Sequence, residues 1–137
     1  MTQSNLETLR SAFDQWNETR GGSVETWLSL CSDNVAFLSS AMGRKGLEFT
    51  EPCACKDDMR RYFTGLLSDW AMDHYTMDRF VADGDVVMCH GSTRWTNRQT
   101  GKSFDVLTSC TVDFQDGRIV RFIEHYDSAP IVEAMSA

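Results

Sequence analysis

The residue best suited to proton-transfer chemistry in this sequence is Glu124, near the carboxyl end of the chain. It alternates with Phe122 and Tyr126, so a strand through this stretch places an acid and two aromatic rings on one pleat face. A carboxyl group in apolar surroundings has a raised pKa, which suits general acid or base catalysis near neutral pH. His90 is the second candidate, because histidine titrates in that range. The pair predicts dehydration, enolisation or aldol-type cyclisation of a small carbonyl compound.

Both residues also have structural interpretations. A carboxylate on an apolar face is costly without a partner, and three arginines are candidate partners at the open end of the sheet: Arg79, Arg94 and Arg98. His90 is then a neutral core imidazole whose ring is satisfied by a carbonyl oxygen. His125 alternates with Glu124 and is expected to face the opposite side of the sheet.

The strand that carries Glu124 is predicted from alternating apolar residues on both sides of the Asp116-Gly117 turn. Asp-Gly is a strong hairpin signal, because glycine supplies the positive φ that the tight turn needs. Short turns at 83–85 and 97–101 connect this hairpin to two earlier strands, 75–82 and 86–96. Links of this length cannot form parallel crossovers, so the four strands are predicted to form an antiparallel meander.

Helical spacing of apolar residues predicts three helices before these strands and a short one, 131–135, after them. A capping box at Ser4 and Glu7 starts the first helix, and Gly21-Gly22 ends it. A strand at 35–40 and an irregular loop at 41–55 come before the third helix, and the loop is expected to cover a pocket mouth. This order predicts an α+β fold in which a strongly curved antiparallel sheet wraps the N-terminal helices into a cone.

Length and composition indicate one globular domain, 1–137, with 42% hydrophobic residues and a formal net charge of −7. The negative charge disfavours nucleic acid as a partner, because phosphate binding requires clustered Lys and Arg. No apolar run approaches the ~20 residues that cross a bilayer, and the first residues lack a signal-peptide core. The prediction is a soluble, cytoplasmic protein with no membrane partner.

The cysteine pattern indicates reduced thiols rather than a metal centre. The chain has five cysteines, an odd number, and only Cys53 and Cys55 form a close pair. A structural zinc site normally needs four ligands, and no second Cys/His pair is present. No metal and no cofactor are therefore predicted.

The order of elements, with DGRIVRF at 116–122 followed by EHYD at 124–127, resembles the nuclear-transport-factor-2-like superfamily. The chain is most similar to its SnoaL-like, ketosteroid-isomerase-related group, over nearly its whole length. The resemblance implies a cone-shaped, cystatin-like α+β barrel with a pocket. It does not imply one reaction, because isomerases, dehydratases, epoxide hydrolases, cyclases and proteins without known chemistry share this cone.

A ketosteroid-isomerase mechanism needs a carboxylate base, with a tyrosine and a protonated acid that hold the enolate oxygen. The resemblance places these roles near Ser39, Phe13 and Cys110. None of these side chains can perform them, so this mechanism is rejected.

An epoxide-hydrolase-like site uses an arginine and two acids, at positions that match His90, Ser92 and Glu124. Only Glu124 keeps the required chemistry, because His90 is not a permanent cation and Ser92 is not an acid. Dehydratases of the superfamily use histidine and acid combinations, so the resemblance leaves the Glu124 and His90 pair as the candidate.

The predicted pocket binds a small, mostly apolar molecule. Its predicted lining combines aromatic and small residues from the helices and strands: Phe13, Trp16, Trp27, Ser39, Phe63, Met88, Ser92, Cys110, Phe122 and Tyr126. By alternation, the outer face of the last strand carries Ile119, Arg121, Ile123 and His125. This mixture of aliphatic and polar groups predicts a homodimer interface.

Three functions remain open at this stage. The first is a cofactor-independent lyase, isomerase or cyclase in which Glu124 and His90 exchange protons with the ligand. The second is a module that holds a hydrophobic ligand without turnover, and the third is a subunit whose outer sheet face recruits another protein.

Overall fold

The computed structural model of this chain describes residues 4–137. The helices are α1 (Asn5–Glu18), α2 (Val24–Leu30), α3 (Lys56–Asp69) and α4 (Ala129–Met135). The strands are β1 (Cys31–Ser39), β2 (Trp70–Asp83), β3 (Val86–Asn97), β4 (Ser103–Gln115) and β5 (Arg118–Tyr126). One turn of 3-10 helix, Glu48–Thr50, lies in the loop between β1 and α3. These elements confirm the predicted α+β fold.

The first helix begins where the capping residues predict. The Ser4 hydroxyl accepts a hydrogen bond of 3.2 Å from the backbone N–H of Glu7, one of the N–H groups that a helix start leaves unpaired. After the last turn, Arg20 takes a left-handed φ of 52° and redirects the chain. Among residues 4–137, no helix combines the length and the apolar character that crossing a bilayer takes.

The five strands form one mixed sheet in the order β1-β5-β4-β3-β2. β2 to β5 pair antiparallel with their neighbours, as the short turns predict. β1 instead pairs parallel with β5, which places Phe37 opposite Phe122 and Ser39 opposite Glu124. Parallel neighbours need a long connection, and the chain from α3 through β4 provides it. The sheet is therefore mixed rather than wholly antiparallel, with α1 and α3 packed against it.

A β-bulge changes which residues of β5 face inward. Ile119 pairs with Phe114 while Arg121 pairs with Asp113, so Val120 is an extra residue on this strand. The prediction that Ile119 lies on the outer face is therefore wrong, since its side chain is 0% exposed. Beyond the bulge the alternation holds, and the residues from 121 onward keep their predicted faces.

The loop at 41–55 is attached to the fold at both sides. The backbone N–H of Phe37 donates to the Cys53 carbonyl at 3.0 Å, and the Cys53 N–H returns the bond at 2.8 Å. The Arg44 guanidinium donates to the Ser128 hydroxyl at 2.7 Å, which connects the loop to the segment before α4. The buried Leu47 side chain then closes one side of the internal cavity described below.

Candidate functional site

The sheet, the helices and the loop at 41–55 enclose a cavity of about 90 Å³. All four tryptophans, all three tyrosines and six of the eight phenylalanines of the chain line it. The remaining lining residues are Leu47, Thr50, Met59, Leu66, Thr93, Val106, Glu124 and Ile131. Among residues 4–137, Glu124 is the only charged side chain on this wall. Ligand pockets commonly have such a composition, apolar walls with few polar groups.

The aromatic rings converge because helix and strand periodicity point them to one place. Phe13 and Trp16 are three residues apart on α1 and therefore share a face. Phe13 meets the Trp27 ring of α2 edge-on, with ring centroids 4.9 Å apart. Trp27 in turn meets Phe122 of β5 edge-on at 5.7 Å. Edge-to-face contacts of this kind are favourable, so these rings pack together on the cavity wall.

Glu124 reaches the cavity from β5, on the same face as Phe122 and Tyr126. The Tyr75 hydroxyl of β2 donates a hydrogen bond to Glu124 Oε2. The other oxygen, Oε1, has no hydrogen-bond partner within residues 4–137. Among those residues, Ser23 Oγ is the only fully buried side-chain oxygen or nitrogen without a hydrogen-bond partner. Oε1 is therefore not fully buried. Glu124 therefore presents one oxygen to the cavity.

The electrostatic setting of Glu124 favours its protonated form. Burial raises the pKa of the carboxyl from its ordinary value of 4.5, and the hydrogen bond from Tyr75 opposes that rise. No basic side chain among the described residues lines the cavity to restore the usual pKa. Burial also raises the pKa of the Tyr75 hydroxyl well above 10.0, so Tyr75 keeps its proton and remains a donor. Burial therefore raises the pKa of Glu124, and the lasting hydrogen bond from Tyr75 limits that rise.

Tyr75 was not among the residues predicted for the site. Its ring stacks on Phe13 with centroids 5.5 Å apart and planes 15° apart. Its backbone N–H donates to Asn17 Oδ1 at 2.8 Å, and its hydroxyl lies 3.4 Å from Thr108 Oγ1. A buried tyrosine usually has a hydrogen-bond partner. The sequence contains no local signal for this role, because the contact with Glu124 joins residues 49 positions apart.

Three hydroxyl groups form a second polar point on the wall. The Tyr62 hydroxyl of α3 donates to Ser39 Oγ at 2.7 Å, and Ser39 Oγ lies 2.9 Å from the Tyr126 hydroxyl. Either hydroxyl can donate in the Ser39–Tyr126 contact, and the Tyr126 oxygen also accepts from the Ala41 N–H at 3.4 Å. When Ser39 donates, the Tyr126 proton is free to bond a ligand. Burial raises the pKa of Tyr126 to about 12, so this proton is retained.

The residues predicted to line the pocket fall into three groups. The first lies on the cavity wall: Phe13, Trp16, Trp27, Phe63, Phe122 and Tyr126. The second lies directly behind it, with Ser39 against Tyr126 and the Cys110 sulfur 4.0 Å from the Tyr75 hydroxyl. The third, Met88, Ser92 and the catalytic candidate His90, lies on the outer face of the sheet.

The prediction that Met88, His90 and Ser92 face the cavity is wrong. The buried side chains of β3 are those of Val87, Cys89, Thr93 and Trp95, so the residues between them point outward. His90 is exposed, and its Nδ1 lies 3.0 Å from the Ser109 hydroxyl on that outer face. Both alternating sets of β3 include apolar residues, so periodicity alone does not identify the inner one. Glu124 and His90 do not share a site.

The three arginines considered as partners of Glu124 are all engaged elsewhere or exposed. Arg94 forms an ion pair with Asp105 of β4. The Arg98 guanidinium donates to a backbone carbonyl of α3 at 3.0 Å. Arg79 is exposed on β2. The charge of Glu124 therefore has no cationic partner among residues 4–137.

Cys31 and Cys53 do not line the cavity. Within the described residues, no three His, Cys, Asp or Glu side chains are grouped so that they could hold a metal ion. Burial raises the pKa of Cys31 to about 12 and that of Cys53 to about 11. These thiols are therefore weak nucleophiles near neutral pH.

Solved structures share this fold at low sequence identity. An NTF2-like protein of unknown function from Burkholderia pseudomallei has a TM-score of 0.82 and 19% identity, over 99% of this chain and 100% of that one. TerC, co-crystallised with polyporic acid, has a TM-score of 0.78 and 15% identity, over 97% and 98% of the two chains. A hypothetical protein with a ketosteroid isomerase-like fold from Catenulispora acidiphila, in complex with trimethylamine, has a TM-score of 0.74 and 11% identity, over 98% of this chain and 93% of that one.

Sequence comparison identifies the family. No curated protein matches this chain in sequence. The family model of the SnoaL-like domain matches residues 9–122, which run from α1 into β5 and include most of the cavity wall. The match spans well over half of the chain and agrees with the NTF2-like fold of the solved structures. This chain therefore belongs to the SnoaL-like domain family.

Proposed function

We propose that this protein binds a small, mostly apolar carbonyl or hydroxylated compound in the aromatic cavity and transfers a proton on it without a cofactor. The reaction class is that of a lyase, isomerase or cyclase. One observation carries the proposal: the only charged residue on the cavity wall within residues 4–137 is an acid with a free oxygen and a raised pKa. Two structural relatives hold small organic molecules, polyporic acid and trimethylamine, which supports a ligand-binding role.

Glu124 is the proton carrier in this proposal. A protonated carboxyl donates to a carbonyl or hydroxyl oxygen, and the resulting carboxylate takes a proton from carbon or oxygen in the return step. Tyr75 fixes the carboxyl through Oε2 and leaves Oε1 toward the ligand. Tyr126 offers a second hydrogen bond when Ser39 donates to its oxygen, because the Tyr126 proton is then free. The ligand is thus held at two points within an otherwise apolar surface.

The test combines binding with turnover. Small cyclic ketones, enones and aryl alcohols are screened for stabilisation, since a ligand that binds only the folded state raises the melting temperature. Each ligand found is then assayed for conversion by wild type, Glu124→Gln and Glu18→Gln, an exposed control with the same change of charge. We expect Glu124→Gln to lower turnover about a hundredfold or more, with Glu18→Gln unchanged. Equal turnover in all three proteins would remove Glu124 from the mechanism.

A binding module without turnover is the second candidate. It is favoured by the outward position of His90, which leaves Glu124 without a histidine or a second carboxyl group beside it on the part of the cavity wall formed by residues 4–137. In that case, ligands stabilise wild type and Glu124→Gln, but neither protein converts them. The same two measurements therefore separate the two functions.

We also propose that the outer sheet face forms a homodimer. Val81, Met88, Thr111 and Ile123 lie opposite one another across four strands, and Leu107 on the same face is 68% exposed. An apolar row of this kind is typical of an interface. Light scattering is expected to give twice the chain mass for wild type and for Val132→Glu, an exposed apolar site on α4. Met88→Glu is expected to be monomeric, and a monomeric wild type would contradict the proposal.

A further inference from the structure

We infer that the same cavity also binds a compact organic cation, an alkylammonium ion held between the aromatic rings and the Glu124 carboxylate. The inference rests on the proposed role of the cavity as a ligand site, but not on the proton-transfer reaction. It follows from three properties of the wall: its charge, its rings and its size.

Within residues 4–137, the wall carries one acidic group, Glu124, and no cationic side chain that neutralises it. The titratable groups around Glu124 are Tyr75 on β2, Cys110 on β4, Tyr126 on β5 and Tyr62 on α3. Burial raises the pKa of each of these four groups, so all are uncharged near neutral pH. A buried carboxylate without a countercharge is unfavourable. A cationic ligand supplies the countercharge that the described residues do not.

The rings nearest the carboxyl suit a cation that has no proton to donate. Tyr75, which donates to Glu124, lines the cavity together with Phe13 and Phe122, whose ring centroids lie 6.3 Å apart. Aromatic faces attract ammonium groups through the ring quadrupole, most strongly when water is excluded. A neutral ligand of the same shape gains the apolar contact but not this attraction. The cavity therefore discriminates by charge as well as by shape.

The size of the cavity limits the cation. A dry apolar cavity of about 150 Å³ holds one benzene molecule, and this cavity measures about 90 Å³. A ligand of about the size of benzene therefore requires some outward movement of the wall. A central nitrogen with four methyl groups is of about that size and presents a methyl surface to the rings.

Cation binding is coupled to the protonation of Glu124. In the empty cavity, burial favours the protonated carboxyl, whereas the cation stabilises the carboxylate. Binding therefore releases a proton at any pH where the empty site is protonated, and affinity rises with pH until the empty site ionises. A neutral ligand releases none. Since the cation fixes Glu124 as a carboxylate, it also competes with a substrate that needs the acid form.

The test compares two ligands of similar shape, tetramethylammonium chloride and tert-butanol, at ionic strength matched with sodium chloride. Binding to wild type, Glu124→Gln and Glu18→Gln is measured by calorimetry in two buffers of different ionisation enthalpy, from pH 5 to pH 8. We expect tetramethylammonium to bind wild type at least about tenfold more tightly than tert-butanol, with proton release. Glu124→Gln is expected to lose that preference and the release, while Glu18→Gln keeps both.

Several outcomes overturn the inference. The inference is contradicted if the two ligands bind equally, or if tetramethylammonium binds without proton release at any pH. Both results are measured on wild type, so they can be obtained even if Glu124→Gln fails to fold. An equal loss of affinity in Glu18→Gln and Glu124→Gln would assign the effect to the overall charge of −7 rather than to the cavity. If ketones bind and tetramethylammonium does not, the proposed function stands and this inference fails.

Discussion

Replacing Tyr75 with phenylalanine removes the one hydroxyl that donates to Glu124 and leaves the ring, its stacking on Phe13 and the cavity shape in place. The cost depends on the protonation state of Glu124. A hydrogen bond to a neutral partner contributes about 0.5–1.5 kcal/mol to stability, and one to a charged partner about 1.5–3 kcal/mol. The substitution is therefore expected to cost about 1 kcal/mol where Glu124 is protonated and about 2 kcal/mol where it is ionised.

The sign of the pH dependence follows from the raised pKa. The folded protein holds the Glu124 proton more tightly than the unfolded chain, so this group favours folding at low pH. That contribution is lost as the pH rises from the ordinary value of 4.5 through the raised pKa of the folded state. Tyr75 lowers the folded pKa, so Tyr75→Phe raises it further and extends the loss to higher pH. The destabilisation should grow as the pH increases.

Urea unfolding between pH 5 and pH 9, followed by tryptophan fluorescence, measures this difference. Tyr62→Phe is the matched control, because it removes a buried hydroxyl whose partner, Ser39 Oγ, does not titrate. Its cost should be about 1 kcal/mol at every pH in the range. In a Glu124→Gln background, the pH dependence of Tyr75→Phe should disappear. A cost for Tyr75→Phe as flat as that of Tyr62→Phe would refute the assigned hydrogen bond to a titrating carboxyl.

Further predictions concern backbone packing and the thiols. Gly91→Ala places a Cβ 1.8 Å from the Thr76 carbonyl oxygen, so urea unfolding should show a loss of at least about 3 kcal/mol, or no folded protein. In Gly84→Ala the new Cβ meets no atom within 4 Å, but the residue keeps a φ of +60°, so the loss of stability should be only about 1–2 kcal/mol. If Gly91→Ala and Gly84→Ala lose the same stability, the close approach of β2 to Gly91 is contradicted. Iodoacetamide at pH 7.5 should alkylate the half-buried Cys55 before the buried Cys53. The reason is that burial raises the pKa of Cys53 to about 11, which lowers its reactivity. Mass spectrometry of peptides measures the order of labelling. Prior labelling of Cys53 would contradict this order.

The sequence predicts the elements whose signals are local. The capping residues and apolar spacing place α1, and the Asp116-Gly117 turn places the last hairpin, because these signals act within a few residues. The parallel pairing of β1 with β5 joins segments about ninety residues apart, and no local pattern encodes it. The position of Ile119 was mispredicted for a related reason, since one extra residue reverses the face of every residue before it.

The sequence predicts only part of the candidate site, again because its signals are local. The sequence identifies Glu124 because an acid between aromatic residues on one face interrupts the alternation of apolar and polar side chains on its strand. Tyr75 was missed because its role comes from a contact across 49 positions of sequence, and no pattern within β2 indicates it. His90 was assigned to the wrong face because both alternating sets of β3 contain apolar residues. Only the buried Trp95 distinguishes them, since a ring of that size needs the core.

The chemical identity of residue 124 is itself an argument for function. A glutamine there is nearly isosteric, can accept the bond from Tyr75 and does not lose stability through ionisation as the pH rises. A leucine avoids the buried polar group altogether. The chain instead holds an acid in an aromatic cavity without a cationic partner among residues 4–137, where its ionised form is the costly one. Local violations of good packing chemistry concentrate at functional sites. Unlike the amide, the acid can exchange a proton with a ligand and can carry a negative charge that pairs with a cationic group of a ligand.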